Sequence, residues 1–548
     1  MQSLKLIIDI FFVKLNIDKK YFSLVVILNI LIVVMELIGI SAIIPLLQFI
    51  TNNKVELFFF NNIDDEDILL FISVLFVLFL TIKFIITLII ENVNRKYSES
   101  MNSLLSQYIF SKYLSLKYEY VLNQTLSKIT RTVHSDSLRF TDSFTTFIRL
   151  AMLLIMCISF FFVMAYFSFF YTLFIIFIGL VITPFFYLTL YKKLRNLGAK
   201  WINDEKEILD MINSAYANFK DLEIFKLNII FQKNFNSSIK SLLSSKYKTI
   251  FINTITRNLI ELLGLVLILL FIIFYYLNGS DINEILFKLG IFAFILFRLI
   301  PVVNQIIINF NKINIHEKSI INVYDLLTNN NINRKIVYSG KVKFLEIIKF
   351  DNINFEYEGK KVFNNLNISF QKGTINAILG PNGSGKTTLI NILTGNLKPN
   401  SGKVSVDNKE LDLTSQEWID KISLVSQDFN IPNINIRDFL VHEENNDSEM
   451  HIKNLFKEFN LDEVLLQRTL KDSKGLSVGQ VQKLCIIRAL IKDSEVIFFD
   501  ETTSALDIDS INRLVAILKK IENKTIIFIT HDIKSLNLFD KINIIKLK

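Results

Sequence analysis

Six apolar stretches fill most of the first 310 residues: Phe22–Ile50, Ile68–Ile90, Phe144–Met164, Phe167–Tyr191, Leu259–Leu277 and Ile285–Phe310. Each is long enough to cross about 30 Å of hydrocarbon. A bilayer offers backbone N–H and C=O groups no partner, so stretches like these fold as helices that satisfy their own hydrogen bonds. Fifty phenylalanines in 548 residues fit that reading. The net charge of +8 is not gathered in one stripe. Its basic residues lie in the polar segments between spans, which suits anionic lipid surfaces far better than nucleic acid, so no nucleic-acid partner is expected.

Two of those segments, Glu91–Asp142 and Lys192–Asn258, are too long for hairpins and are rich in Lys, Ser and Asn. They read as spans continuing beyond the membrane as long helices, with Ser127–Ser137 and Asn218–Lys226 as short helical segments at the far tips, where they can dock on the soluble domain near Gln427. The other connections are short or acidic, such as Asp64–Asp67. This asymmetry places both termini on the cytoplasmic side. Lys14, Lys19 and Lys20 interrupt the first apolar segment, so Met1–Tyr21 is expected as an amphipathic surface helix, not a cleaved signal. The expected organisation is a membrane domain at 1–325, a polar linker at 326–340 and a soluble α/β domain at 341–548. Cys157 and Cys485 fall in different compartments, so no disulfide is expected, and no metal-ligand spacing occurs.

In the soluble part, Gly380, Pro381, Asn382, Gly383, Ser384, Gly385, Lys386, Thr387 and Thr388 form a phosphate-binding loop. It sits between an apolar strand at Ile375–Leu379 and a helical run at Thr388–Leu393. The glycines let backbone N–H groups turn onto phosphates, Lys386 adds a point charge and Thr387 offers a hydroxyl to Mg²⁺. Further on, Val496–Phe499 is a buried strand ending in Asp500 and Glu501. Asp500 is suited to Mg²⁺ and Glu501 to polarising an attacking water. Gln427 follows another apolar run and could reach both the metal and the γ-phosphate. A phosphate loop by itself implies only a nucleotide binder. Leu476, Ser477, Val478, Gly479 and Gln480 narrow the choice.

With that pentapeptide the chain resembles the ATP-binding cassette (ABC) family, and its exporters in particular. The resemblance implies a polytopic α-helical membrane domain of six transmembrane helices, type I ABC exporter-like, followed by an α/β P-loop nucleotide-binding domain. It also implies ATP and Mg²⁺ as cofactors and a homodimer whose two cassettes close head to tail over two ATP molecules. Ser477, Gly479 and Gln480 of one copy would then cap the phosphates held by Lys386 of the other. Tyr357 matches the aromatic that stacks on adenine, His531 the switch histidine, and Asp507 the residue that links the two sites. Val478 departs from the pattern, which has glycine there.

In the membrane half, Glu36 and Arg298 are ionisable groups inside spans and so mark a cavity, while Arg257 and Glu261 open the fifth span and read either as cavity groups or as an i,i+4 pair at the membrane edge. Asn304, Gln305 and Asn309 are read as one polar stripe. Met35–Pro45, Arg257–Glu261 and Leu296–Pro301 resemble the bacterial flippases that move lipid-linked oligosaccharides for protein N-glycosylation. That resemblance implies a bacterial inner membrane location and a polyisoprenyl-pyrophosphate glycan as cargo. Arg257 and Arg298 would face the pyrophosphate, with Glu36 and Gln305 nearby and Phe58–Phe60 touching the tail. Export of a peptide, toxin or hydrophobic drug, and a slow ATPase acting as a membrane regulator, are the alternatives.

Overall fold

A computed structural model describes residues 2–14, 18–50, 65–278, 282–329, 344–357, 360–381, 383–411, 413, 415–427, 434–441, 446–468, 476–502, 506–521, 523–530, 538–539 and 541–547. Asn382, Ser504, His531, Phe58–Phe60 and most of the expected linker lie outside them. The chain divides into two compact units, Met1–Leu116 with Asn123–Ile332, and Lys117–Leu122 with Asn333–Lys548.

The first unit is helical: α1 (Gln2–Ile8), α2 (Lys19–Ile50) and α3 (Asp65–Leu114), then, beyond the short α4 (Tyr118–Leu122) of the second unit, α5 (Leu126–Arg131), α6 (Ser137–Phe167), α7 (Phe169–Ala217), α8 (Phe219–Ile224), α9 (Asn228–Leu277) and α10 (Ile282–Thr328). Among the described residues five helices are long and apolar enough to span a membrane, and Phe169–Gly179 is a shorter apolar helical segment. The fourth expected span begins there, and its continuation through Tyr191 carries no described side chains. Helices α3, α6, α7, α9 and α10 each run past their apolar stretch into a neighbouring polar segment. A single extended residue, Ser168 (φ −158°, ψ 96°), turns the chain between α6 and α7, and its N–H still bonds to Met164 O. Large side chains hold the spans together: Phe160, Met164, Phe271 and Phe292 are buried, and Tyr171 meets Phe271 edge-on at 4.9 Å.

Two expectations need correction here. The turn between α3 and α5 is made by α4, not by Ser127–Ser137. Ser127–Ser137 is instead a buried junction: α5 is capped by Thr125, and a π-helical turn follows at Thr132–Asp136. Asp136 is fully buried there and accepts from Ser319 Oγ at 2.7 Å, while Arg131 Nε lies at 3.4 Å. Polar residues that read as exposed tip are spent on one another and on α10. The second correction concerns α10, where Asn309 is buried and Gln305 is exposed, so the two do not share one environment. At the N-terminus, α1 and the turn after it bury Ile7, Ile10 and Phe11, with Phe11 packed on Phe140 and Phe144. One face of the amphipathic segment is therefore spent on α6.

The second unit holds two sheets. An antiparallel sheet has the order β2-β1-β4-β5, from β1 (Ile347–Tyr357), β2 (Lys360–Gln371), β4 (Ser401–Val406) and β5 (Lys409–Glu410). A parallel sheet has the order β6-β7-β8-β3-β9, from β3 (Ile375–Leu379), β6 (Ile422–Val425), β7 (Val496–Asp500), β8 (Thr525–Ile529) and β9 (Asn543–Lys546). Helices α11 (Lys386–Leu393), α12 (Gln416–Asp420), α13 (Ile436–Leu440), α14 (Asn446–Glu458), α15 (Val478–Ile491) and α16 (Ile508–Lys520) complete the unit. Every residue of β7 and β8 is buried, which explains their unbroken apolar sequences. Parallel strands aim their carboxyl ends one way, and that edge is where such sheets bind ligands.

Candidate functional site

Four polar elements leave the carboxyl edge of the parallel sheet. The phosphate loop follows β3, Gln427 follows β6, Asp500 ends β7 and Thr530 follows β8. Register fixes their spacing, because Ile529 of β8 lies beside both Ile378 of β3 and Asp500 of β7. One strand therefore separates the loop from the carboxylates.

The loop is built to keep its centre clear of side chains. Gly385 takes φ +91°, and a Cβ there would stand 2.7 Å from both Phe363 and Val362. A Cβ on Gly380 would stand 2.5 Å from Ser384 Oγ and 3.1 Å from Leu547 O. Lys386 is buried, and its ammonium donates to Gly380 O at 2.6 Å and to Pro381 O at 3.3 Å. Ser384 Oγ is buried without a hydrogen-bond partner. An orphaned hydroxyl, a clamped cation and a helix N-terminus around a glycine cradle fit the phosphates of a nucleotide. Thr387, one residue into α11, is exposed, and its hydroxyl faces no burial cost in meeting a metal.

The carboxylates are held differently. Asp500 is buried at the end of β7. Glu501 takes φ +48°, a left-handed conformation that costs a non-glycine residue energy, and its N–H bonds to Ile529 O at 2.9 Å. Gln427 Nε2 donates to Glu501 Oε2 at 2.8 Å. Strain and hydrogen bond together aim the glutamate, so Gln427 does more than the sequence suggests: it orients this carboxylate.

Tyr357 closes β1 and is partly exposed, in edge contact with Phe355. Burial raises its hydroxyl pKa, a hydrogen bond with Thr388 opposes it, and the nearby Tyr118 and Glu119 of α4 add a smaller rise. The second unit thus brings α4 near this aromatic.

Ser477 caps α15 in a reciprocal box: its Oγ accepts from Gln480 N–H, and Gln480 Oε1 accepts from Ser477 N–H at 2.9 Å. Gln480 therefore shapes the helix start. Gly479 sits in the first turn, and Val478 beside it is 66% exposed, so the departure from glycine points a branched side chain outward. Asp507 starts α16; a hydrogen bond from Ser510, and next Lys483 at 3.5 Å, hold its carboxyl below the usual range. Sequence reading missed Lys483, and it missed Gln482, whose buried amide donates to Thr502 O. Both tie α15 to the segment after β7. Their signal was a polar residue on an otherwise apolar helix. Burial pushes the Cys485 thiol up to about 11, so it stays protonated.

In the membrane unit, Glu36 of α2 is the centre of a charge cluster. Lys83 Nζ of α3 lies 2.6 Å from Glu36 Oε1, and Arg298 Nη1 of α10 lies 3.9 Å from Oε2. Lys83 was missed, since a single lysine inside an apolar run reads as part of the span. Arg298 also sits over the Phe294 ring at 5.7 Å. Arg257 stays with its own helix, 3.2 Å from Glu261, both more than half exposed. Gln305 is exposed and outside this cluster.

Residues 363–504 match the family model described as "ABC transporter". The solved structure titled "Structure of a bacterial Atm1-family ABC exporter with ATP bound" superposes with a TM-score of 0.84, covering 97% of this chain and 95% of that one at 15% identity. The fold is that of an ABC exporter. Among curated proteins, the "Leukotoxin translocation ATP-binding protein LktB" of Pasteurella haemolytica-like sp. (strain 5943B) is 33% identical over 219 residues, 37% of this chain and 31% of that protein. The "Uncharacterized ABC transporter ATP-binding protein y4gM" of Sinorhizobium fredii is 32% identical over 205 residues, 36% of this chain and 35% of its own length. The chain spans about a third of the length of these relatives.

Proposed function

We propose that the chain is one half of a homodimeric ABC exporter that couples ATP hydrolysis to movement of an anionic amphiphile across a bacterial inner membrane, with both termini cytoplasmic. Its membrane domain covers 1–325, its linker 326–340 and its cassette 341–548. Lys386 and the loop N–H groups hold the phosphates, and Tyr357 stacks on adenine. Thr387, Asp500 and Gln427 would hold Mg²⁺, which when bound neutralises phosphate charge. Glu501, aimed by Gln427, takes the proton of the attacking water, and His531 contacts the γ-phosphate. Ser477, Gly479 and Asp507 act on the partner's nucleotide. Each chain carries one loop and one signature, so a full site needs two copies. Mixing Lys386→Ala chains with Ser477→Arg chains is expected to restore ATPase activity that each lacks alone, because a mixed dimer has one intact site. Activity no higher than that of either parent would end the head-to-tail scheme.

The cluster on Glu36 carries the substrate reading. One carboxylate shared by Lys83 and Arg298 leaves a net positive charge within the spans. Such a charge is costly without a counter-anion, and a guanidinium pairs with phosphate through its fork. A lipid-linked oligosaccharide on polyisoprenyl pyrophosphate supplies both the anion and the tail. Arg298→Ala is expected to weaken cargo-stimulated ATPase activity and flipping about ten-fold or more, the scale of a charged hydrogen bond. Arg298→Lys should recover part of it, and cargo-free ATPase activity should hold. Wild-type flipping of a pyrophosphate-linked glycolipid in ATP-loaded vesicles by Arg298→Ala would favour the second reading, export of a peptide or toxin, which the leukotoxin translocation relatives support.

A further inference from the structure

A separate polar cavity of about 270 Å³ lies where three spans lose their apolar character. Its walls come from the start of α2, the segment of α3 just after its apolar run, and the start of the apolar run of α6. Asn29 and Asn94 close one side with reciprocal hydrogen bonds at 3.0 and 3.1 Å. Arg95 and Arg149 both line it, are exposed, and have no ion pair among the described residues. Tyr97 also lines it, is fully buried against Tyr21, and its hydroxyl has no hydrogen-bond partner. Two acids complete the wall: Asp142, already paired with Lys312 at 2.6 Å, and Glu91.

Two free guanidinium forks, an unsatisfied buried hydroxyl and one carboxylate at the edge of a hydrocarbon layer describe a receptor for a zwitterion. A buried polar group without a partner costs free energy, so Tyr97 points to a missing ligand. Paired guanidinium groups suit a phosphodiester, and a carboxylate suits a primary ammonium. The position at the ends of the spans is headgroup depth. We propose that this cavity binds the headgroup of an aminophospholipid, with its phosphate on Arg95 and Arg149 and its ammonium on Glu91. The site lies apart from the Glu36 cluster and does not depend on what the exporter carries.

The test uses the full-length protein in detergent, with phosphatidylethanolamine added and bound lipid counted by native mass spectrometry. The wild type should retain the lipid at about ten-fold lower concentration than the Arg95→Ala/Arg149→Ala variant, the scale for losing hydrogen bonds to a charged group. Tyr97→Phe should fall between them. Diacylglycerol of the same chain length should not be retained, and inorganic phosphate should compete only weakly. Equal retention by the wild type and the double variant overturns the proposal, and so does inorganic phosphate binding as tightly as the lipid. If the alanine variant aggregates, Arg95→Lys/Arg149→Lys keeps the charge but loses the forks; wild-type retention by that variant also overturns it.

Discussion

Glu501→Gln is expected to leave nucleotide binding intact and to lower ATP turnover by about 100-fold or more, the scale of a lost general base. The geometry gives the reason. Glu501 is held in a left-handed conformation by its N–H bond to Ile529 O and by the Gln427 amide on Oε2. Glutamine keeps the shape but cannot accept a proton. The proposed grip on phosphate belongs to other residues, Lys386 and the loop around Gly380 and Gly385. ATP affinity measured by equilibrium titration should therefore stay near that of the parent while phosphate release stops. Hydrolysis at the parental rate would remove Glu501 from its role.

The second large effect is expected at Glu36. Lys83 and Glu36 are 11% and 14% exposed, and removing one member of a buried pair costs about 3–5 kcal/mol, because the other charge is stranded. Glu36→Ala strands two cations, so its thermal midpoint in detergent should drop further than that of Lys83→Met. Combining Glu36→Gln with Lys83→Met should recover much of the loss, since it leaves Arg298 as the cluster's one charge. Single variants as stable as the parent would show that the cluster is solvated and plays no structural part.

Sequence made the local elements legible and left the pairings dark. Apolar runs predicted the spans because a bilayer forces helix wherever a long run occurs. The phosphate loop and the strand before Asp500 were readable because their chemistry needs those residue types in that order. Lys83 was invisible because its partner sits on a different helix, and one lysine scarcely changes an apolar run. The junction at Thr132–Asp136 was misread for a related reason. Asp136, Arg131 and Ser319 look like surface residues until α10 is packed beside them. The capping role of Gln480 could have been seen, since serine followed three residues later by glutamine is a helix-start signal.

The last strand, β9, lies directly against the phosphate loop. It pairs with β3, Leu547 N–H bonds to Leu379 O at 2.8 Å, and the Leu547 carbonyl is one of the atoms that would crowd a side chain on Gly380. The segment from Asn543 to Leu547 is thus a wall of the cradle as well as an edge of the sheet. Ligand binding that holds the loop in this geometry also holds the strand packed against it. The backbone amides of Ile544 through Leu547 are consequently expected to give up their hydrogens to solvent more slowly when the cradle is filled, so hydrogen exchange at this strand should read its occupancy.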